Sequence, residues 1–440
     1  MSTITADEQR ILDEVERGFD QEIAFLQDLV RCPSVRGAEH TVQDYVFNAL
    51  AKRGYDMDRW RVSEEDIKGH PGFSPIAVSY ENAWVVVGTH RPRTTAGRSL
   101  ILNAHIDVVP PGPTDMWSHP PYDPVIRDGW MYGRGAADMK AGLACNIFAL
   151  DAIERAGFEP AATIHVQSVP EEESTGNGTL ATSVRGYRAD AALCPEPTRG
   201  QLTRANVGVV WFSVRVYGRP AHAREMQSGV NAIDAAYQVI GALRELEAEL
   251  NAEAARHPLF KDLVHPINLN IGQIEGGDWN STVPAACTVH CRLSMLPGTP
   301  ASELKRRIEQ TISDFARRTP GRGNTPPEIK WTGFSCEGFV LEPGSDAEKT
   351  LAAAHQAIHG SPLQEHVMPA YLDARVTILY DNIPTLVYGP GGRNIHSIDE
   401  AVELETIKQA TKSIALFTAR WCGLAPLQQA VARKRPITSP

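Results

Sequence analysis

No stretch of this 440-residue sequence stays apolar for the roughly 20 residues that a helix needs to cross a bilayer. Positive charge is not in excess either: 43 Lys and Arg against 53 Asp and Glu leave a formal net charge of -10. That removes the basic stripe with which general nucleic-acid binders displace counterions, and the short Arg433-Lys434-Arg435 run does not restore it. Cysteine is sparse and scattered. The seven, at positions 32, 145, 194, 287, 291, 336 and 422, form an odd set without a CxxC pair, so neither a disulfide framework nor a thiolate metal site is expected. The first ten residues, MSTITADEQR, are polar and acidic and carry no apolar leader segment. These absences predict a cytoplasmic protein with reduced thiols that neither crosses a membrane nor binds nucleic acid.

Hydrophobic residues make up 42% and charged residues 22%, an ordinary globular composition. The length exceeds what one hydrophobic core usually serves, which predicts two domains. Apolar positions recur at helical spacing over 7–31 and 40–53, and short apolar runs at 84–87 and 100–104 read as buried strands. Residues 139–156 read as a helix ending at Gly157, 163–169 and 189–194 as strands, and 180–184 as a helical piece between them. This alternation implies an α/β domain with a mostly parallel sheet flanked by helices. From about 207 the order becomes strand, helix, strand, strand, helix, strand, a split ferredoxin-like α+β unit ending near 334. A helix at 346–359 and a strand at 383–388 then return to the first domain. The predicted organisation is a catalytic domain over 1–206 and 335–425, an inserted unit over 207–334 and a tail over 426–440.

Acidic and histidine residues fall just beyond these strands. His105 and Asp107 follow the run at 100–104, Glu171-Glu172-Glu173 follow 163–169, Glu196 follows 189–194, and Gly391-Gly392 with His396 follow 383–388. Open α/β sheets bind ligands at that edge. Asp138 adds a carboxylate at the start of the 139–156 helix. Singly, each has a bland reading: a core or surface histidine, a solvated acidic face, a helix cap. Together, carboxylates converging on one edge repel one another unless a multivalent cation neutralises them. Imidazole with carboxylate and no thiolate favours catalytic zinc, with manganese or cobalt as substitutes. Five such donors exceed one tetrahedral site but suit two metals sharing a bridging carboxylate.

Seven motifs carry a resemblance: HIDVVP (105–110), GRGAADMKAG (133–142), PEEES (170–174), CPEPT (194–198), GRPAH (218–222), NSTVP (280–284) and YGPGG followed by NIHSIDE. Over roughly residues 10 to 420 the chain resembles the dimetal deacylases and carboxypeptidases that include acetylornithine deacetylase, succinyl-diaminopimelate desuccinylase and glutamate carboxypeptidase. The resemblance implies hydrolysis of the amide C–N bond in a small N-acyl amino acid or related amine. It implies two divalent metal ions: His105 binds one, His396 the other, Asp138 bridges, and Glu173 and Glu196 complete one site each. Asp107 orients His105. Glu172 is the general base, or Glu171 if the register shifts by one. His222 supplies an oxyanion donor, from the partner subunit in dimeric members, which makes the inserted unit both lid and dimer surface, with 207–217 or 229–256 as its interface. Asn280 and Arg292 match substrate-binding positions, and Gly391-Gly392 a backbone turn that substrate approaches closely.

Two departures divide the substrate class. His290-Cys291-Arg292 stands where the family often has Asp-x-Arg, and the long 64–92 segment resembles a formylaminopyrimidine deformylase branch, while Asp373-Ala374-Arg375 resembles the amino-acid deacylases. The alternatives are therefore a deacylase of a heteroaromatic amine and, in another class, a catalytically inactive scaffold.

Overall fold

A computed structural model of the chain describes residues 4–318 and 325–427. The basic run at 433–435 lies outside the described residues, as does the predicted tail beyond 427.

A six-stranded sheet organises the larger unit, in the order Asp56–Arg61, Trp84–His90, Ile164–Val169, Leu100–His105, Ala191–Cys194, Thr385–Val387. The last three junctions are parallel and the first two antiparallel. Alternation at Trp84–His90 sends Val86 into one hydrophobic layer and Val85 and Val87 into the other, so helices cover both faces. On one side pack Ala6–Arg31, Ala141–Arg155, Asp346–His359 and Leu404–Cys422. A capping box starts the first of these, Thr5 and Glu8 each accepting the other's backbone N–H.

The inserted unit has its own core. Its antiparallel sheet runs Leu269–Gly276, Ala286–Met295, Gly208–Tyr217, Glu328–Cys336, the ferredoxin-like order, with Ala232–Ala254 and Ala301–Arg318 against one face.

The structure refines these expectations at four points. The sheet is mixed at one edge, because the polar strand Asp56–Arg61, whose residues are all partly or fully exposed, adds antiparallel to Trp84–His90. The helix expected from 139 begins at Ala141, since Asp138 and Met139 leave helical geometry in a wide turn over 136–140. The long helix Leu404–Cys422 was not anticipated; it is buried on most of its circumference. Finally, Gly208–Tyr217 is paired on both sides, so it cannot extend the sheet to another chain; Leu269–Gly276 is an open edge.

Candidate active site

Four parallel neighbours deliver the acidic cluster. His105 is the last residue of Leu100–His105, Glu171–Glu173 follow Ile164–Val169, Glu196 follows Ala191–Cys194, and the loop after Thr385–Val387 carries His396. Asp138 stands between the two histidines: its Oδ1 is 3.0 Å from His105 Nε2 and its Oδ2 is 3.4 Å from His396 Nε2. Glu196 Oε2 lies 4.0 Å from His105 Nε2 on one side, and Glu173 Oε1 lies 2.9 Å from His396 Nε2 on the other. One ligating atom each from His105, Asp138 and Glu173 falls within 4.8 Å of the others.

The turn that presents Asp138 is held by Glu400. Its Oε1 accepts the N–H groups of Ala137 and Asp138 at 3.0 and 3.1 Å, and its Oε2 accepts that of Gly135 at 3.1 Å and the guanidinium of Arg134 at 2.5 Å. Asp107 works mainly through other atoms than anticipated. Its backbone carbonyl lies 3.0 Å from His105 Nδ1, while its carboxylate stands 3.7 Å off and accepts the backbone N–H groups of Glu172 and Glu173 at 3.1 Å each. One residue thereby orients a histidine and fixes the loop that carries two glutamates.

The three glutamates differ sharply in surroundings. Glu171, at φ 69, is clamped by Arg36 through Nε and Nη2 at 2.7 and 3.0 Å and accepts from Tyr80 at 2.9 Å and Thr175 at 3.0 Å. Glu172 is buried and its carboxyl receives no hydrogen bond from the described residues. Burial pushes that carboxyl well above its ordinary value, with the charge of His105 opposing and the Glu196 and Glu173 carboxylates adding to the rise. Burial disfavours a charged Asp138 too, yet hydrogen bonds from both imidazoles hold it well below the carboxylate range. His396 is raised to about 11, chiefly by Glu173.

Asp138, Glu172, Glu173, Glu196 and His396 line one end of a cavity of about 530 Å³ between the two units; Arg292, Asn270 and Trp211 from the inserted sheet line another part. A separate groove of about 380 Å³ at Arg53, His90 and Glu154 contains none of these residues. Arg292 has no carboxylate partner among the described residues, and burial lowers its pKa to about 10. The donor set fits divalent cations on an observation of its own: Glu196 Oε1 is buried without a hydrogen-bond partner.

Other anticipated residues lie elsewhere. His222 and Asn280 are exposed on the inserted unit, His222 bridging Thr282 two residues beyond Asn280, and neither lines the cavity. Gly391 and Gly392 do not line it either. A Cβ at Gly392 would stand 2.6 Å from that of Ala137, and one at Gly391 would stand 3.0 Å from Arg199 Cζ, so these glycines permit close packing beside the Asp138 turn. Arg375 is fully buried, donating to Gly72 O at 2.7 Å. Sequence reading missed Glu400, though it closes the NIHSIDE motif, and it missed Arg36 and Tyr80, for which nothing local signals a role.

The model of peptidase family M20/M25/M40 matches residues 101–420. A deformylase of N-formyl-4-amino-5-aminomethyl-2-methylpyrimidine from Halalkalibacterium halodurans is 28% identical, over 94% of this chain and 98% of its own. A succinyl-diaminopimelate desuccinylase from Methylorubrum extorquens is also 28% identical, over 88% and 96%. Among solved structures, the dipeptidase Dug1p of Saccharomyces cerevisiae shares the fold with a TM-score of 0.78 at 16% identity, covering 94% of this chain and 98% of that one. The chain belongs to peptidase family M20/M25/M40 and is a metal-dependent amidohydrolase.

Proposed function

We propose that the protein hydrolyses the amide bond of a small N-acyl amino acid or related N-acyl amine, with Glu172 as general base. The observation that carries this reading is the buried Glu172 carboxyl, free of hydrogen-bond partners beside the donor cluster at one end of the cavity. His105 and Glu196 would hold one divalent ion, His396 and Glu173 the other, with Asp138 between them. Two such ions, zinc by the donor chemistry with cobalt or manganese as substitutes, supply Lewis acidity and lower the pKa of water.

Glu172 accepts the proton of the attacking water as its oxygen adds to the amide carbonyl carbon, then returns that proton to the departing nitrogen. Against Glu171 in this role stand the hydrogen bonds of Arg36, Tyr80 and Thr175 to its oxygens, which favour Glu172. Arg292, a desolvated cation without a partner, supports recognition of an anionic substrate group. His222 would reach the oxyanion from a second copy of the chain, consistent with its exposure and its absence from the cavity lining of its own chain. The homodimer would form through the inserted unit, whose boundaries are proposed at 206/207 and 334/335. Seven unpaired thiols support a cytoplasmic setting, and no helix among the described residues is long and apolar enough to cross a membrane.

Deacylation of a heteroaromatic amine is a second reading, favoured by the pyrimidine deformylase that matches over almost its whole length. Glu172→Gln tests the shared chemistry. The expected outcome is a fall in kcat of about a thousandfold with bound metal unchanged by elemental analysis; full activity would reject Glu172 as base. A panel of N-acetyl, N-formyl and N-succinyl amines with and without a carboxylate separates the two substrate classes.

A further inference from the structure

A second cluster of metal-binding side chains joins two helices to a strand end, away from the acidic site. His355 and His359, which belong to none of the seven motifs, stand one turn apart on Asp346–His359; Tyr388 follows Thr385–Val387, and Ser413 lies on Leu404–Cys422. The two imidazole rings stack with centroids 4.0 Å apart, and both turn a nitrogen on the Tyr388 hydroxyl, His355 Nδ1 at 2.9 Å and His359 Nε2 at 3.2 Å. Ser413 Oγ is 3.1 Å from the same hydroxyl and 3.5 Å from His359 Nε2. Four of the six separations among these atoms thus fall between 2.9 and 3.5 Å. Ligands about 2.0 Å from a tetrahedral zinc would stand about 3.3 Å from one another.

The proton inventory also suits a cation. Neither imidazole has a partner at its other nitrogen among the described residues, so each can carry its proton there and aim a lone pair at the cluster. Ser413 gives its own proton to Gln409 O at 2.9 Å, which leaves three acceptors facing the single proton of Tyr388. Burial lowers His355 to about 4, with His359 adding to the fall, and lowers His359 as well, so both imidazoles are in the neutral form that ligates metals. Tyr388 and His355 are buried, while His359, one residue before the exposed Gly360, is half-buried and gives an ion a way in. We propose that His355, His359, Tyr388 and Ser413 form a third metal site, separate from the catalytic pair, that takes zinc or a similar divalent transition ion. Imidazole and oxygen donors without thiolate suit such ions. On binding, the Tyr388 O–H bond breaks, a metal–oxygen bond forms and the proton leaves to solvent, with no change of oxidation state. The site also sits where two loops of the acidic cluster meet: Tyr388 N–H donates to Cys194 O at 3.0 Å and Gly200 N–H to Gly389 O at 2.9 Å, so an ion there would brace the segments leading to Glu196 and His396.

Zinc alone is the probe, because it is colourless and leaves tyrosine absorption readable. Protein already holding two zinc equivalents would be titrated with more and followed by elemental analysis after equilibrium dialysis, by ultraviolet difference absorption and by thermal melts. The expected result for the wild type is a third equivalent, a tyrosinate band as Tyr388 loses its proton, and a higher melting temperature. His359→Gln, at a half-buried position near a helix end, should stop at two equivalents and show neither the band nor the shift. Tyr388→Phe should lose the band. Saturation of the wild type at two equivalents would overturn the proposal, and so would a third equivalent with its tyrosinate band retained in His359→Gln. None of these readouts needs turnover, so the result is independent of the amide-hydrolase reading.

Discussion

Glu171 and Glu172 are adjacent in sequence and both buried, yet the chain gives them opposite surroundings. Glu171 is charge-paired with Arg36, and removing one partner of such a pair strands the other. Arg36→Ala should therefore cost about 3 kcal/mol of stability, read by urea unfolding. It should also lower kcat more than it changes KM, because Glu171 anchors the loop that presents Glu172. A second buried carboxyl, Glu22, is raised to about 8 by burial, with Thr411 Oγ1 at 2.6 Å. The same hydroxyl lies 3.0 Å from Ile407 O, so one proton cannot serve both acceptors; a protonated Glu22 can donate to Thr411 and satisfy all three. Since the folded pKa is raised above the unfolded value near 4.5, the stabilisation is fully present below that value and is lost as pH rises toward about 8. Glu22→Gln should flatten this slope and stabilise the protein at pH 8 by a few kcal/mol, on the order of the shift. Thermal melts from pH 5 to pH 9 check it. The clustered acids were legible because each follows a strand. Arg36 was not, because its partner lies 135 residues away and no local pattern joins them.

At the scale of elements, the turn over 136–140 shows how far sequence periodicity reaches. Helix formers dominate the run from Met139, and the side chain of Glu400, 262 residues from Asp138, holds the N–H groups of Gly135, Ala137 and Asp138 out of the helical ladder. Glu400→Gln keeps the shape but turns an amide NH2 toward donors. Partners that orient metal ligands in this way typically contribute 10–100-fold to affinity. The variant should therefore lose metal to a chelator about 10–100 times more readily, with unchanged far-ultraviolet circular dichroism. The antiparallel sheet edge was illegible for a related reason: Asp56–Arg61 carries little apolar signal, and its pairing with Trp84–His90 decides its structure. Both ferredoxin-like helices and the strand Ala286–Met295 of the inserted unit were legible, because each has one face more buried than the other.

At the scale of the whole molecule, the histidine proposed as oxyanion donor, His222, does not line the cavity of its own chain. His222 and Asn280 lie on the inserted unit beside an open strand edge and exposed apolar side chains, Ile274 on that edge and Trp279 in the following loop, the latter 72% exposed. An unpaired edge of this kind pairs with another chain unless it is blocked, and a two-fold arrangement would pair it with itself. Ile274→Lys should then shift sedimentation from dimer to monomer and lower kcat at the same time. Subunit mixing is the sharper test. His222→Ala keeps Glu172 but lacks the oxyanion donor; Glu172→Gln keeps His222 but lacks the base. Each alone should be nearly inactive. Mixed in equal amounts and allowed to exchange subunits, they should recover activity approaching about a quarter of wild type, since half the dimers are hybrid and each hybrid holds one complete site. A mixture as inactive as its components would place His222 in the service of its own chain, and the inserted unit would then have to close over its own active site to bring it there.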